Sequence, residues 1–194
     1  MKEGLLKEIS AHGDRGAIVP ISRFEELKHE LEALRTDKYH MFSDWLAGSM
    51  VIAEEPGFKP RSLIIVIAPS PKVLIGFTYN EKVIHCVVPP QYLDESYKDG
   101  QVLQYINAYL EPFGYKAALF DKLPQKLLAV HSGLGLYGRN NLCYHNEFGS
   151  YIRIITYISD LPCDEAAWFP IQRMDICENC HACVIACPTN AIEP

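Results

Sequence analysis

Leu63-Ile64-Ile65-Val66-Ile67-Ala68, opened by Ser62 and closed by Pro69, is an unbroken run of apolar, mostly β-branched residues. It is far shorter than the roughly 18–20 apolar residues of a membrane-spanning helix. Val and Ile lose side-chain freedom in a helix and suit a pleated strand, so the run predicts a strand. Two further Val- and Ile-rich segments, residues 72–79 and 82–88, read as strands joined in a hairpin around Asn80–Glu81.

Outward from this centre, helices and strands mix. Residues 2–12 predict a helix with Leu5, Leu6 and Ile9 on one side and Gly13 as its stop. Residues 17–20 form a short apolar strand, and Ser22 opens a helix with Phe24, Leu27, Leu31 and Leu34 at helical spacing. Residues 41–50 and 101–110 predict further helices, and residues 115–120 another strand. Pro124 suits the first position of a helix through Val130 that Gly133 ends. Residues 141–144 and 151–159 predict a second hairpin around His145–Gly149. The fold class is therefore α+β, a mixed or antiparallel sheet with flanking helices. The predicted division is a core over residues 1–162 and a cysteine-rich tail over residues 163–194.

The composition fits a globular protein: of 194 residues, 48% are hydrophobic and 22% charged, which excludes disordered, collagen-like and coiled-coil chains. The opening MKEGLLKEIS carries acidic residues and no long apolar core, so no signal peptide is expected. The net charge is −6, from 18 basic and 24 acidic residues, so nucleic-acid binding would require a local basic patch. There are seven cysteines, an odd number, and four of them lie in the last eighteen residues. Clustered thiols without an export signal point to metal or redox chemistry in the cytoplasm, away from membranes, rather than to a disulfide framework.

The tail reads Cys177-Glu-Asn-Cys180-His-Ala-Cys183-Val-Ile-Ala-Cys187-Pro188, a C-x2-C-x2-C-x3-C-P run. That spacing is the one found in bacterial [4Fe–4S] proteins. A cubane takes one thiolate per iron, and two-residue gaps let a tight loop aim three sulfurs at three corners of one cube. Cys187, before a proline, serves the other cluster in two-cluster proteins. Zinc sites pair two C-x2-C units across a longer stretch or use His, so His181 inside the run does not make this a zinc finger. Two complete clusters need eight thiolates, and the chain contains one run, so one cluster motif is expected to be missing and the chain to be truncated. Cys163 either completes a single cluster or is a free thiol. Cys86 and Cys143 lie in predicted strands and are expected to be small core residues.

Gly133-Leu134-Gly135-Leu136-Tyr137-Gly138 matches G-x-G-x-x-G. A dinucleotide fingerprint follows a strand and opens a helix. Here the stretch follows a helix and leads into a strand. Its three glycines mark either a tight structural connection or a backbone that lets a flat or bulky group approach. Asp121, just before Pro124, is a candidate acid or a carboxylate at a helix start. His131, beside the glycines, is either a helix-end histidine favoured by the dipole or a residue near a bound group. Tyr92, after Pro89-Pro90-Gln91, is a candidate cavity-lining side chain.

Further residues occur in a telling order: Phe120-Asp121-x-x-Pro124, Ser132-Gly-Leu-Gly-Leu-Tyr-Gly-Arg-Asn140, Gly149-Ser150, Ser159-Asp-Leu-Pro162, then the cysteine run and Pro-Thr-Asn-Ala-Ile192. Over residues 117–192 the chain resembles the epoxyqueuosine reductase family and, more distantly, the corrinoid-dependent reductive dehalogenases. The resemblance implies a nitroreductase-like corrinoid-binding core that holds cobalamin, followed by a ferredoxin-like module with two [4Fe–4S] clusters, incomplete here. It places Asp121 on the family's catalytic acid. It brings Gly133, Leu134, Gly135, Gly138, Arg139 and Asn140 toward the corrin. It also makes Cys177, Cys180, Cys183 and Cys187 the metal ligands. A carboxylic acid donates a proton near neutral pH where burial raises its pKa. Leu136 and Arg139 stand where the family usually has Trp and Lys. The family also extends past its clusters into a helical-repeat domain that grips tRNA. The absence of such a domain here and the acidic charge argue against tRNA as substrate.

The resemblance thus implies an iron–sulfur, cobalamin-dependent reductase. Electrons from a ferredoxin- or flavodoxin-like donor would pass through the clusters to cobalt and on to a small or nucleoside-like substrate protonated by Asp121. The alternative is a ferredoxin-like electron carrier or reductive activator of a separate corrinoid protein. A third reading is a folded but chemically idle relative.

Overall fold

The computed structural model describes residues 1–33, 40–52, 56–88 and 95–193. The chain begins with a helix (α1, Lys2–Ala11), a strand (β1, Arg15–Pro20) and two helices (α2, Arg23–Ala33; α3, His40–Ser49). Three strands follow (β2, Ser62–Pro69; β3, Val73–Tyr79; β4, Lys82–Val88), then a long helix (α4, Glu95–Leu110) and a short strand (β5, Ala117–Leu119). A helix (α5, Gln125–His131), two very short strands (β6, Leu136–Tyr137; β7, Cys143–Tyr144) and a longer one (β8, Ile152–Ser159) come next. The chain then reaches two helical turns that carry cysteines (α6, Cys177–Cys180; α7, Ala182–Ala186). Leu34 and the Pro89–Tyr92 turn lie outside the described residues.

The main sheet has the order β1-β2-β8-β5 and is antiparallel throughout. Side chains of β2 alternate between two cores. Leu63, Ile65 and Ile67 join Phe24, Leu27 and Leu31 of α2 and Leu127, Leu128 and Val130 of α5. Ile64 and Val66 join Leu5 and Ile9 of α1 and Val102, Ile106 and Leu110 of α4. Helices therefore cover both faces of the sheet. That is why β2 reads as a continuous apolar run and not as an apolar–polar alternation. The α+β class with antiparallel pairing is what the sequence predicted.

Polar groups tie the layers together at the edge. Asp14, fully buried in the α1–β1 turn, accepts from Lys98 Nζ at 3.0 Å and from Tyr105 OH at 2.9 Å. A buried carboxylate is tolerated when it is paired in this way. Arg153 of β8 meets Asp99 of α4 through two bonds, at 2.8 and 2.6 Å.

Two expectations are corrected. Residues 141–144 and 151–159 do not form a hairpin: β7 pairs with β6, and β8 lies between β2 and β5. Only the His145–Gly149 bridge closes the turn between them. The eight-pair register with β2, from Ser62–Ser159 to Pro69–Ile152, offers β8 far more pairing than a two-residue strand could. Cys86 is exposed rather than in the core. It sits on the β3–β4 hairpin, a separate two-stranded sheet on which Leu74, Phe77, Tyr79 and Val83 are all more than half exposed. Cys143 is buried, as expected. Cys163 is a buried free thiol in the α1–α4 core, 3.6 Å from the Ile18 carbonyl, and burial pushes its pKa up.

Truncating Ile65 to Ala opens a void beneath two helices and should cost about 2–5 kcal/mol in a urea melt. Phe77→Ser on the open hairpin should stay within about 0.5 kcal/mol of the parent. Equal losses at the two positions would mean that the hairpin is part of the packed core.

Candidate functional site

The segment that follows α5 carries the site. Gly133 leaves the helix at φ +79°, a conformation that side-chain-bearing residues rarely adopt, and a Cβ there would press on Phe169. Leu134 donates its N–H to the Ala129 carbonyl at 2.9 Å and closes the helix end. A Cβ on Gly135 would stand 2.5 Å from Cys143 Sγ, and one on Gly138 would stand 2.5 Å from the Tyr144 ring. Gly133, Leu134 and Gly135 thus serve close packing of the connection.

The tail docks on this segment at three points. Trp168 stacks on His131 with ring centroids 4.7 Å apart, beneath the Arg23 guanidinium at 4.9 Å. The Phe169 N–H donates to the His131 carbonyl at 2.8 Å. The His131 ring places Nδ1 2.5 Å from the Phe169 carbonyl and Nε2 2.9 Å from Glu30. His131 is therefore a buried anchor of the tail, more than a helix-end histidine. Next, Tyr137 donates its N–H to Gln172 and accepts from Met174, both at 2.9 Å, so residues 172–174 run parallel beside β6 through a single β-bridge, Tyr137–Arg173. Finally, Arg139 reaches the first cysteine. Its N–H points at Cys177 Sγ (3.5 Å), and its guanidinium donates to the Cys177 carbonyl (3.2 Å) and the Glu193 carbonyl (3.5 Å).

The cysteines lie on two short turns broken at His181, whose backbone is left-handed at φ +48°. Cys177 and Cys180 end α6, Cys183 lies in α7, and Cys187 follows it. The Cys187 thiol meets Thr189 Oγ1 at 3.5 Å and accepts the Ala191 N–H at 3.3 Å. The Thr189 hydroxyl, then backbone N–H groups, hold its pKa down to about 7. Among the described residues no three His, Cys, Asp or Glu side chains are grouped to hold a single ion. In a cubane each thiolate binds its own iron, so its sulfurs stand apart by the width of the cluster. Thiols in this C-x2-C-x2-C-x3-C run, with N–H groups aimed at the sulfurs of Cys177 and Cys187, are a donor set that fits such a cluster.

Asp121 lies beyond this segment, exposed at the rim of a cavity of ≈ 830 Å³. The cavity brings Asp121 together with Tyr137, Gly138, Arg139, Lys126 and Arg173, over an apolar wall that includes Leu31, Leu127 and Ile171. Burial pushes the Tyr137 hydroxyl up to about 12, with the Cys143 thiol and Glu30 adding to the shift. Asn140 lies in an adjoining cavity with Arg139, Arg173 and Ile192, where its amide donates to Tyr144 OH at 3.0 Å. Sequence reasoning had singled out Asp121, Gly138, Arg139 and Asn140. It missed Tyr137, Lys126 and Arg173. Tyr137 lay inside a quoted motif, whereas Arg173 carried no sequence signal.

Comparison with known proteins matches residues 170–193 to the 4Fe-4S binding domain family. The epoxyqueuosine reductase of Cyclobacterium marinum is 39% identical over 204 aligned positions, covering 92% of this chain and 59% of that protein. The tetrachloroethene reductive dehalogenase of Dehalobacter restrictus is 30% identical over 146 residues, covering 70% of this chain and 24% of that protein. The chain thus spans a quarter to three-fifths of these relatives' lengths. In fold it resembles the solved epoxyqueuosine reductase from Streptococcus thermophilus, with a TM-score of 0.62 and 18% identity over 100% of this chain and 54% of that one. No helix among the described residues is long and apolar enough to cross a membrane.

Gly135→Ala should force Cys143 aside and cost about 1–3 kcal/mol in thermal or urea unfolding; a neutral result would show that the connection is loose. In metal-free protein, alkylation of Cys187 followed by peptide mass spectrometry should titrate with a midpoint at about 7, the thiolate fraction rising with pH. Thr189→Val should move that midpoint up toward the ordinary thiol value of about 8.5. An unmoved midpoint would remove the hydroxyl as its cause.

Proposed function

Because the chain is an epoxyqueuosine reductase-like iron–sulfur protein with a 4Fe-4S binding domain, we propose that it is a reductase whose core, residues 1–162, takes cobalamin and substrate at the Asp121 cavity, fed by residues 163–194. The observation that carries this reading is the meeting of the two: Arg139 lines the cavity and bonds to Cys177. Cys177, Cys180 and Cys183 would hold one cluster, with Cys187 as a further ligand. When bound, the cluster relays single electrons from a ferredoxin- or flavodoxin-like donor, and cobalamin supplies a strong cobalt-centred reductant.

The chain's own residues do the rest. Leu31, Leu127 and Ile171 give the cavity an apolar wall that sheds water around a ligand. Lys126, Arg139 and Arg173 set a positive field there. Asp121 places its carboxyl at the rim of the same space, where it would pass a proton to a bound substrate. Tyr137, whose hydroxyl stays protonated at working pH, offers a second hydrogen-bond donor to the same space. The substrate class is a small or nucleoside-like acceptor; an epoxyqueuosine-bearing tRNA, offered beside a free nucleoside in the single-turnover assay below, probes the larger ligand.

Protein purified and reconstituted under strict anaerobiosis should contain iron and sulfide and should change the absorption spectrum of added cobalamin. Cys180→Ser should lose iron. Asp121→Asn should keep iron and cobalamin binding but lose about 10²–10⁴-fold in substrate reduction, measured as single turnover with a low-potential reductant. An iron-loaded chain that leaves the cobalamin spectrum unchanged would sink the proposal. Full activity in Asp121→Asn, together with capture of a corrinoid protein, would favour the electron-carrier reading.

A further inference from the structure

We propose that Arg139 is a positioning residue that fixes the first cluster ligand and whose fixed charge raises the reduction potential of the cluster held there. The inference rests on the reading that Cys177 binds an iron–sulfur cluster.

Arg139 holds Cys177 from two directions. The backbone N–H points at the sulfur and the guanidinium grips the carbonyl of the same residue. A third bond, from Nη1 to the Glu193 carbonyl, reaches the far end of the cysteine segment, so one side chain spans it from first ligand to last turn. This is a use for which a planar fork of donors is suited and an ammonium is not. The Arg139 Nε is buried with no partner among the described residues, so the guanidinium is held partly out of water by its surroundings.

The electrostatic consequence has a definite sign. Reduction adds one negative charge to the cluster. A guanidinium does not deprotonate in proteins, and near the sulfur in a partly desolvated setting it favours the more negative state. The N–H directed at Sγ acts in the same direction, since hydrogen bonds to cluster sulfurs are among the determinants of potential. The charges around Cys177 oppose one another. Asp175 and Glu178 flank it, and Arg139 and Arg173 face them across a small cavity of ≈ 210 Å³. Removing Arg139 leaves two acids against one exposed arginine. The same guanidinium lines the Asp121 cavity, so the charge that sets the cluster's potential also faces the ligand space.

The test is an anaerobic redox titration of the reconstituted chain, followed by electron paramagnetic resonance, for the parent, Arg139→Gln, Arg139→Lys and Lys82→Gln. Arg139→Gln should lower the midpoint so that the reduced-to-oxidised ratio at fixed poise falls about tenfold, or about 59 mV for a one-electron couple. Arg139→Lys keeps the charge and should shift the midpoint far less, while both variants lose some iron because the fork is gone. Lys82→Gln, a charge loss on the β3–β4 hairpin, should leave the midpoint where it is. The signal is read on the loaded fraction, so partial iron loss does not mask the result. An unchanged midpoint in loaded Arg139→Gln would reduce Arg139 to a mechanical latch and overturn the inference while leaving the cluster intact. Equal shifts in the Gln and Lys variants would overturn the role of charge. A parent chain that takes up no iron or sulfide would overturn the cluster reading, and this inference with it.

Discussion

The exchange of hydrogen bonds between Tyr137 and residues 172–174 is the constraint on which the site depends. The cysteine turns bury no side chain of their own: neither α6 nor α7 contains a buried residue. A segment of this size with no apolar core cannot hold a conformation alone. Its rigidity is borrowed. The β2–β8 register fixes the sheet, α5 packs on the sheet through Leu127, Leu128 and Val130, and the connection after α5 offers its backbone to the tail. The small residues at Gly135 and Gly138 allow this, because a side chain at either would collide with β7.

His131 supplies the second anchor. It belongs to α5, bonds to Glu30 of α2 and to Phe169 of the tail, and stacks on Trp168. Three parts of the chain distant in sequence converge on one ring. Both helices sit on the same face of the sheet, so the tail crosses the layer at its seam and does not lie on a single helix. That crossing brings Ile171 and Arg173 over the α2–α5 cleft and encloses the cavity at whose rim Asp121 lies.

The legible parts of the sequence were the local ones. β2 declared itself because a run of β-branched residues constrains its own backbone, and the cysteine run because cluster spacing is set within one loop. The β3–β4 hairpin was readable from Asn80 and Glu81, both of which take positive φ. Its surroundings were not readable: alternation along a strand does not tell whether anything covers it, and so Cys86 was wrongly assigned to the core. The pairing of β8 was also hidden. The turn residues His145–Gly149 suggested a hairpin, yet the longer register with β2 decides the partner. Tyr137 and Arg173 could not be seen as cavity neighbours, since only docking of the tail makes them so.

Net charge illustrates the same limit in electrostatic form. The chain as a whole is acidic, and from that total alone nucleic-acid binding called for a local basic patch. The cavity nevertheless places Lys126, Arg139 and Arg173 around a single acid, Asp121. A concave, partly apolar wall focuses the field of those three cations, so a ligand at its mouth responds to the local sign and little to distant surface acids screened beyond roughly 8–10 Å. Arg139 and Arg173 arrive from two segments that the Tyr137 pairing brings side by side. The sign of the site is therefore a product of the tail's docking: without residues 172–174 beside β6, Arg173 would be one more solvated side chain and Arg139 would have no cysteine to hold.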